Sequence, residues 1–363
     1  MQFDDDIPNV KGLIKKINNM PDNKERYRLY NILIYTLSFL HNDLIYTEDD
    51  LDNFLGELID TEKDKTHYLS NKKRELLDMY KNLKTLNNIY KPILLNSKEH
   101  PFYMQSYMNI NLDKILYVGE AFLREIDINL YKLYEKLLKK DLIIEKYKHD
   151  KYGSCGYING NLSGITLDMH IQNLYKVITL IHEMGHAYDN YLNKTQDKLS
   201  FQINTEVTSM TFELIFLYYL SENNILSSNE ISVCLRNYFT DYLLRMNNAF
   251  IYNKLFIEKK LSKENNYLDF NQIKNNGIIF NNLASEYLQD IEVYCNYYGV
   301  GLMFASVFLE HFKRNSHDTI KEIKDFSCFA NNLTTEEILK YFNEKDLINI
   351  TSNNINKALK KRY

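Results

Sequence analysis

Apolar residues recur at helical rather than alternating spacing along most of this 363-residue chain. Phe122, Ile126, Leu130, Leu133, Tyr134 and Leu137 form one such face, and Leu235, Phe239, Tyr242, Met246 and Phe250 form a second. Residues 26–40 are apolar enough for a buried helix, and residues 47–59 open on Thr47-Glu48-Asp49-Asp50, acids that suit a first helical turn. Proline stands at 8, 21, 92 and 101 and nowhere later, so the strongest helix breaker is absent from the rest of the chain. One stretch departs from this pattern. Residues 151–164 carry four glycines with Ser and Asn, which reads as a loop, and Ile165-Thr-Leu-Asp-Met-His170 then alternates like a strand. The expected fold is therefore mainly α, with a small β element beside the helix at residues 177–192.

Composition narrows the setting. Four cysteines, at 155, 234, 295 and 328, form no CxxC pair, which predicts free thiols in a reducing compartment, the cytoplasm by default. The amino terminus is acidic where a signal peptide would be basic, and no apolar run reaches membrane-spanning length. A net charge of −4 with interspersed signs gives no footprint for nucleic acid or an anionic membrane. The 30 tyrosines and absent tryptophan point to a biased composition rather than to a chemistry.

The chemistry lies in His182-Glu183-Met184-Gly185-His186. Residues four apart share a helix face, so both imidazoles can reach one cation, the first half of a zinc site. Glu183 stands about 100° round the helix, beside that cation rather than on it, where a general base would stand. The plain alternative is a helix that happens to carry these residues. A third ligand is found in Glu206, 24 positions after His182, on a second apolar helix that also carries Glu213 two turns later. Glu213 then either orients a ligand histidine or is a solvated charge. Asp189 extends the histidine face by a turn and is a further orienter, but as a ligand it would stretch the site over ~10 Å of one helix. Residues 165–170 either offer a free strand edge to an extended peptide or form an ordinary structural hairpin.

His182-Glu-Met-Gly-His186-Ala-Tyr, followed by Glu206-Val-Thr-Ser-Met-Thr-Phe-Glu213, resembles the oligoendopeptidase F and thimet oligopeptidase family of zinc metallopeptidases. The resemblance implies one zinc ion held by His182, His186 and Glu206, with Glu183 activating the attacking water. Tyr294-Cys-Asn-Tyr-Tyr298-Gly-Val-Gly301 is similar to the family's tyrosine-bearing helix facing the metal, which implies that Tyr298 and Tyr294 bind substrate and stabilise the oxyanion. Tyr297 and Tyr287 are reserves for that role. Lys151-Tyr-Gly-Ser-Cys-Gly-Tyr, Val118-Gly119-Glu120 and residues 326–360 also look like family segments.

Departures from the family are specific. Asp189 replaces a further histidine, Leu288 stands where a histidine is usual, Cys328-Phe-Ala-Asn-Asn-Leu333 replaces a glycine-rich turn, and the amino-terminal part is shorter than in typical members. His170, His149, His311 and His317 are the histidines available to replace the one missing at Leu288. The division expected is an N-terminal helical region at 1–110 and a catalytic domain at 111–363. The expected activity is endopeptidase hydrolysis of short unstructured peptides. A zinc carboxypeptidase or dipeptidase with Arg236, Arg245 or Arg314 holding a terminal carboxylate is the alternative, as is a peptide-binding protein with impaired catalysis. The oligomeric state is open.

Overall fold

A computed structural model describes residues 62–97, 112–146, 153–158, 161–168, 173–193, 203–257, 288–330 and 332–360. The helices expected at 26–40 and 47–59, together with His149, His170 and Tyr287, lie outside these residues. In chain order come α1 (Glu62–Ser97), α2 (Leu112–Ile126), α3 (Ile128–Lys139), β1 (Ile143–Lys146), β2 (Gly153–Ile158) and β3 (Asn161–Asp168). After them come α4 (Leu174–Leu192), α5 (Val207–Glu222), α6 (Ser228–Ile257), α7 (Leu288–Arg314), α8 (Ser316–Ala330), α9 (Thr335–Leu339) and α10 (Glu344–Lys360). The fold is mainly α with one small sheet, as the periodicity predicts. No helix among the described residues is long and apolar enough to cross a membrane.

The centre of the fold is α5. Every residue from Val207 to Leu217 is buried, polar ones included, because α4, α6 and α7 all pack against it. A helix apolar on all sides belongs in an interior. Around it, α6 and α7 pack on each other and α10 packs on α7, while α1 lies against α6 and α10. Pro92 sits inside α1 rather than ending it, although it can donate no hydrogen bond there. The apolar faces read from the sequence turn inward: Phe122, Leu130, Leu133, Tyr134 and Leu137 are buried, as are Phe239, Tyr242 and Met246.

Two local expectations are corrected. The face from Phe122 to Leu137 belongs to two helices, because Asp127 leaves the helical region (φ −158, ψ 128) and caps α3 by accepting from the backbone N–H groups of Asn129 and Leu130. Residues 151–164 are not simply a loop, since β2 and the start of β3 lie within them. Gly164 serves a close approach: a Cβ on it, at φ +156, would meet the Leu142 carbonyl oxygen at 2.8 Å.

The sheet order is β1-β3-β2, with β1 parallel and β2 antiparallel to β3. Both edges of β3 are thus paired along Ile165–Leu167, and the expectation of a free edge there fails because β1 occupies it. The edge beside the histidine helix belongs to β2, which packs with β3 against α4. Buried Lys176 near the start of α4 pairs with Glu145 of β1 at 2.6 Å and ties the sheet to that helix.

Candidate metal centre

The site is assembled where α4 meets the start of α5. Asn173 caps α4 by accepting from the Tyr175 N–H at 2.9 Å, and the helix then runs unbroken past both histidines. Gly185, between them, weakens a helix by roughly 1 kcal/mol relative to alanine. Its use is closeness. A Cβ there would lie 2.5 Å from the Ser209 Cα and 3.2 Å from the Thr208 carbonyl oxygen, so only glycine lets the α5 backbone come this near. Glu206, at the N-cap position of α5, is carried onto the histidine face and makes no side-chain cap for its own helix.

The ligand atoms of His182, His186 and Glu206 lie within 4.8 Å of one another. Glu206 Oε2 is 3.2 Å from His182 Nε2 and 3.3 Å from His186 Nε2, and the imidazole centroids are 4.9 Å apart. Ser209 Oγ donates to the same Glu206 oxygen at 3.1 Å. On the far side of His182, Nδ1 stands 3.1 Å from Glu213 Oε2, which also accepts from the Tyr242 hydroxyl at 2.7 Å. With Nδ1–H donating to Glu213, neutral His182 turns the Nε2 lone pair toward Glu206. Acceptors then converge on one point, an arrangement that requires a proton or a cation between them. The donor set fits a zinc ion of the two-histidine, one-glutamate kind.

The charges agree with this. Burial alone would lower the His182 pKa, but the carboxylates of Glu206 and Glu213 outweigh it and hold it well above the ordinary value. At His186 burial is likewise overcome, mainly by Glu206. Burial would raise the Glu206 carboxyl, yet the two imidazoles hold it well below the usual carboxylate range. In the metal-free fold these groups share protons where a metal would sit.

Glu183 is only 6% exposed and faces the start of β2: a Cβ on Gly153 would come within 3.0 Å of Glu183 Oε1 and 2.4 Å of Thr179 Cγ2. The facing wall comes from α6 and α7. Gly301 of α7 approaches Glu206 so closely that a Cβ would sit 3.1 Å from the Glu206 carbonyl oxygen and 2.4 Å from Met210 Sδ. Tyr298, one turn earlier on that face, is half-buried and stacks on Tyr242 at 5.6 Å and 23°. The Tyr294 side chain, like that of Leu288, lies outside the described residues, while Tyr297 is buried in the core.

Other residues singled out from the sequence go elsewhere. Asp189 accepts from Ser327 Oγ of α8 and so braces two helices. His311 pairs with Glu322 at 2.9 Å, ten residues and so ~15 Å along α7 from Gly301, and His317 is exposed on α8. Sequence reasoning passed over Tyr242, which it counted only as core. It placed Gly153 in a glycine-rich loop and a family-like segment, without the contact with Glu183 that the β2 strand gives it.

No protein-family model matches the sequence, and no curated protein matches it. Solved structures do. PZ peptidase A, determined with an inhibitor, aligns at 11% identity and a TM-score of 0.53 over 95% of this chain and 70% of its own. A protein assigned as an oligoendopeptidase F from Bacillus anthracis strain Ames aligns at 12% identity and TM-score 0.49, covering 94% of this chain. This chain spans 64% of the length of that protein. A second oligoendopeptidase F assignment aligns at 12% identity and TM-score 0.45, covering 96% of this chain and 71% of its own. At such identity it is the backbone that is shared, and the chain has the helical fold of PZ peptidase A.

Proposed function

We propose that this protein is a zinc-dependent metallopeptidase that hydrolyses short, unstructured peptides, with His182, His186 and Glu206 as ligands of one zinc ion. The observation that carries the reading is the convergence of these three donors within 4.8 Å, beside a buried Glu183. The fold shared with PZ peptidase A supports it. Zinc in such a site supplies Lewis acidity to a peptide carbonyl and makes a nearby water easier to deprotonate.

The remaining work falls to side chains. Glu183 takes the proton of the attacking water and returns it to the leaving amine as the C–N bond breaks. Glu213 fixes the His182 tautomer, and Tyr242 holds Glu213. Tyr298 and Tyr294, on the helix that abuts Glu206, donate to the carbonyl oxygen as it gains charge. The β2 edge, beginning at Gly153 against Glu183, accepts the extended peptide as a further strand. Short peptides suit that edge because a folded substrate would have to unpair its own backbone first. None of the four cysteines forms a disulfide, which fits a reducing compartment such as the cytoplasm. A scaffold that only binds peptides has no use for Glu183 in this position.

Purified protein is incubated with a defined peptide mixture, and products are read by mass spectrometry while bound zinc is measured by elemental analysis. Cleavage that disappears with a chelator and with Glu183→Gln, at one zinc per chain, is expected. Bound zinc with no cleavage of any peptide would defeat the peptidase reading.

A further inference from the structure

Beyond the donor cluster, the site continues as a ladder of contacts. His182 meets Glu213, Glu213 accepts from the Tyr242 hydroxyl, and the Tyr242 ring stacks on Tyr298. At the outer end stands Arg245 of α6, its guanidinium carbon 4.1 Å from the centroid of the Tyr298 ring and 5.9 Å from that of Tyr242. Its Nε donates to Asp241 Oδ2 at 3.2 Å. Among the described residues, its two terminal nitrogens have no hydrogen-bond partner.

We propose that Arg245 binds a carboxylate of the peptide substrate, so that the enzyme prefers peptides with a negative charge a few residues beyond the scissile bond. This rests on the peptidase reading above. Three observations support it. The side chain is 35% exposed, enough to be reached yet sheltered from full solvent screening. The stack on Tyr298 and the single bond to Asp241 fix the guanidinium plane and leave its outer edge, a planar fork that matches a carboxylate in two parallel hydrogen bonds. The nearby Cys295 thiol is pushed up to about 12, mainly by burial, and so provides no competing anion. The anion is either the terminal carboxylate of a short peptide or an acidic side chain.

Binding is read by fluorescence anisotropy on the full-length, zinc-loaded Glu183→Gln protein. One peptide is supplied as free acid and as C-terminal amide, and each form carries Glu or Gln at the penultimate position. A charge-assisted pair of this kind predicts a preference of about 10- to 100-fold for the anionic form. If the acid-to-amide ratio carries it, the ligand is the terminus; if the Glu-to-Gln ratio does, it is the side chain. Arg245→Gln is expected to bring either ratio to about one, while Arg245→Lys, which keeps charge but not the fork, retains part of it.

If Arg245→Gln weakens all four peptides by the same factor, Arg245 merely braces Tyr298 and the proposal is overturned. An unchanged ratio in Arg245→Gln overturns it equally. The Lys variant decides the matter if the Gln variant does not fold, since full loss or full retention of the preference in a folded Lys variant excludes a fork-held carboxylate. Because the readout is binding, a protein that selects anionic peptides but cleaves none would defeat the peptidase reading and leave this one standing. Cleavage without charge preference would do the reverse.

Discussion

The two walls of the site are built in opposite ways. On the ligand wall, His182 and His186 come from one helix at fixed spacing, and Glu206 comes from the next helix along the chain. On the facing wall, Tyr242 and Arg245 come from α6 and Tyr298 from α7, and they meet only because two long helices pack on each other. The ligand wall is held by directed hydrogen bonds, from Ser209 to Glu206 and from Tyr242 to Glu213. Ring stacking and one guanidinium hold the other. Under the proposed function this difference follows from chemistry: a metal tolerates little error in donor position, and its three donors are tied down locally.

This contrast can be broken experimentally, and the largest effect is expected at Glu183, the proposed base. Glu183→Gln is expected to lower kcat by roughly 10²–10⁴ while zinc content stays at one per chain. Loss of zinc in this variant would show that base and ligands are not separable. Next comes Glu213→Ala, which removes the partner of His182 Nδ1. Zinc affinity measured against a chelator is expected to fall about 10- to 100-fold. Unchanged affinity would mean that Glu213 does not orient the ligand.

Gly185→Ala tests the contact that brings Glu206 to the histidines. With a Cβ 2.5 Å from Ser209 Cα, the helices must separate, at a cost of about 1–3 kcal/mol by chemical denaturation, and zinc affinity should fall with stability. A variant as stable as the parent would show that α5 moves freely here.

The histidine pKa values add a pH test with two opposite signs. Both are raised in the metal-free fold. They therefore favour that fold fully below the unfolded value of about 6.5, and the contribution is lost as pH rises through the raised values. Zinc needs neutral imidazoles, so its affinity should rise by about tenfold per pH unit for each proton displaced, levelling off above the raised values. Affinity that is flat with pH would exclude displaced protons. The smallest effect is expected of Tyr242→Phe, which leaves Glu213 with one donor fewer, at about 1 kcal/mol of stability and a few-fold in zinc affinity. A larger change than that of Glu213→Ala would make Tyr242 more than a support for the carboxylate.

By itself the sequence determined the features set by spacing along one helix or by the step to the next. The i, i+4 histidines, the adjacent Glu183 and the paired Glu206 and Glu213 are legible because helix geometry converts sequence separation into a shared face. The mainly α fold was legible for the same reason, as was the inward turn of the two long apolar faces. The break at Asp127 lay within reach of the sequence too, as a capping residue inside a periodic run that periodicity alone overlooks.

Only the tertiary structure decided the rest. Strand pairing depends on which segments meet, so β1 could take the edge expected to be free, and the glycine-rich stretch could form β2 and the start of β3. Neither Gly153 beside Glu183 nor Gly185 against Ser209 has a side chain by which to declare its neighbour. Tyr242 and Arg245 carry the same local signals as any helical core tyrosine or half-exposed arginine. Their roles come from the partners opposite them, and those partners lie far away in the sequence.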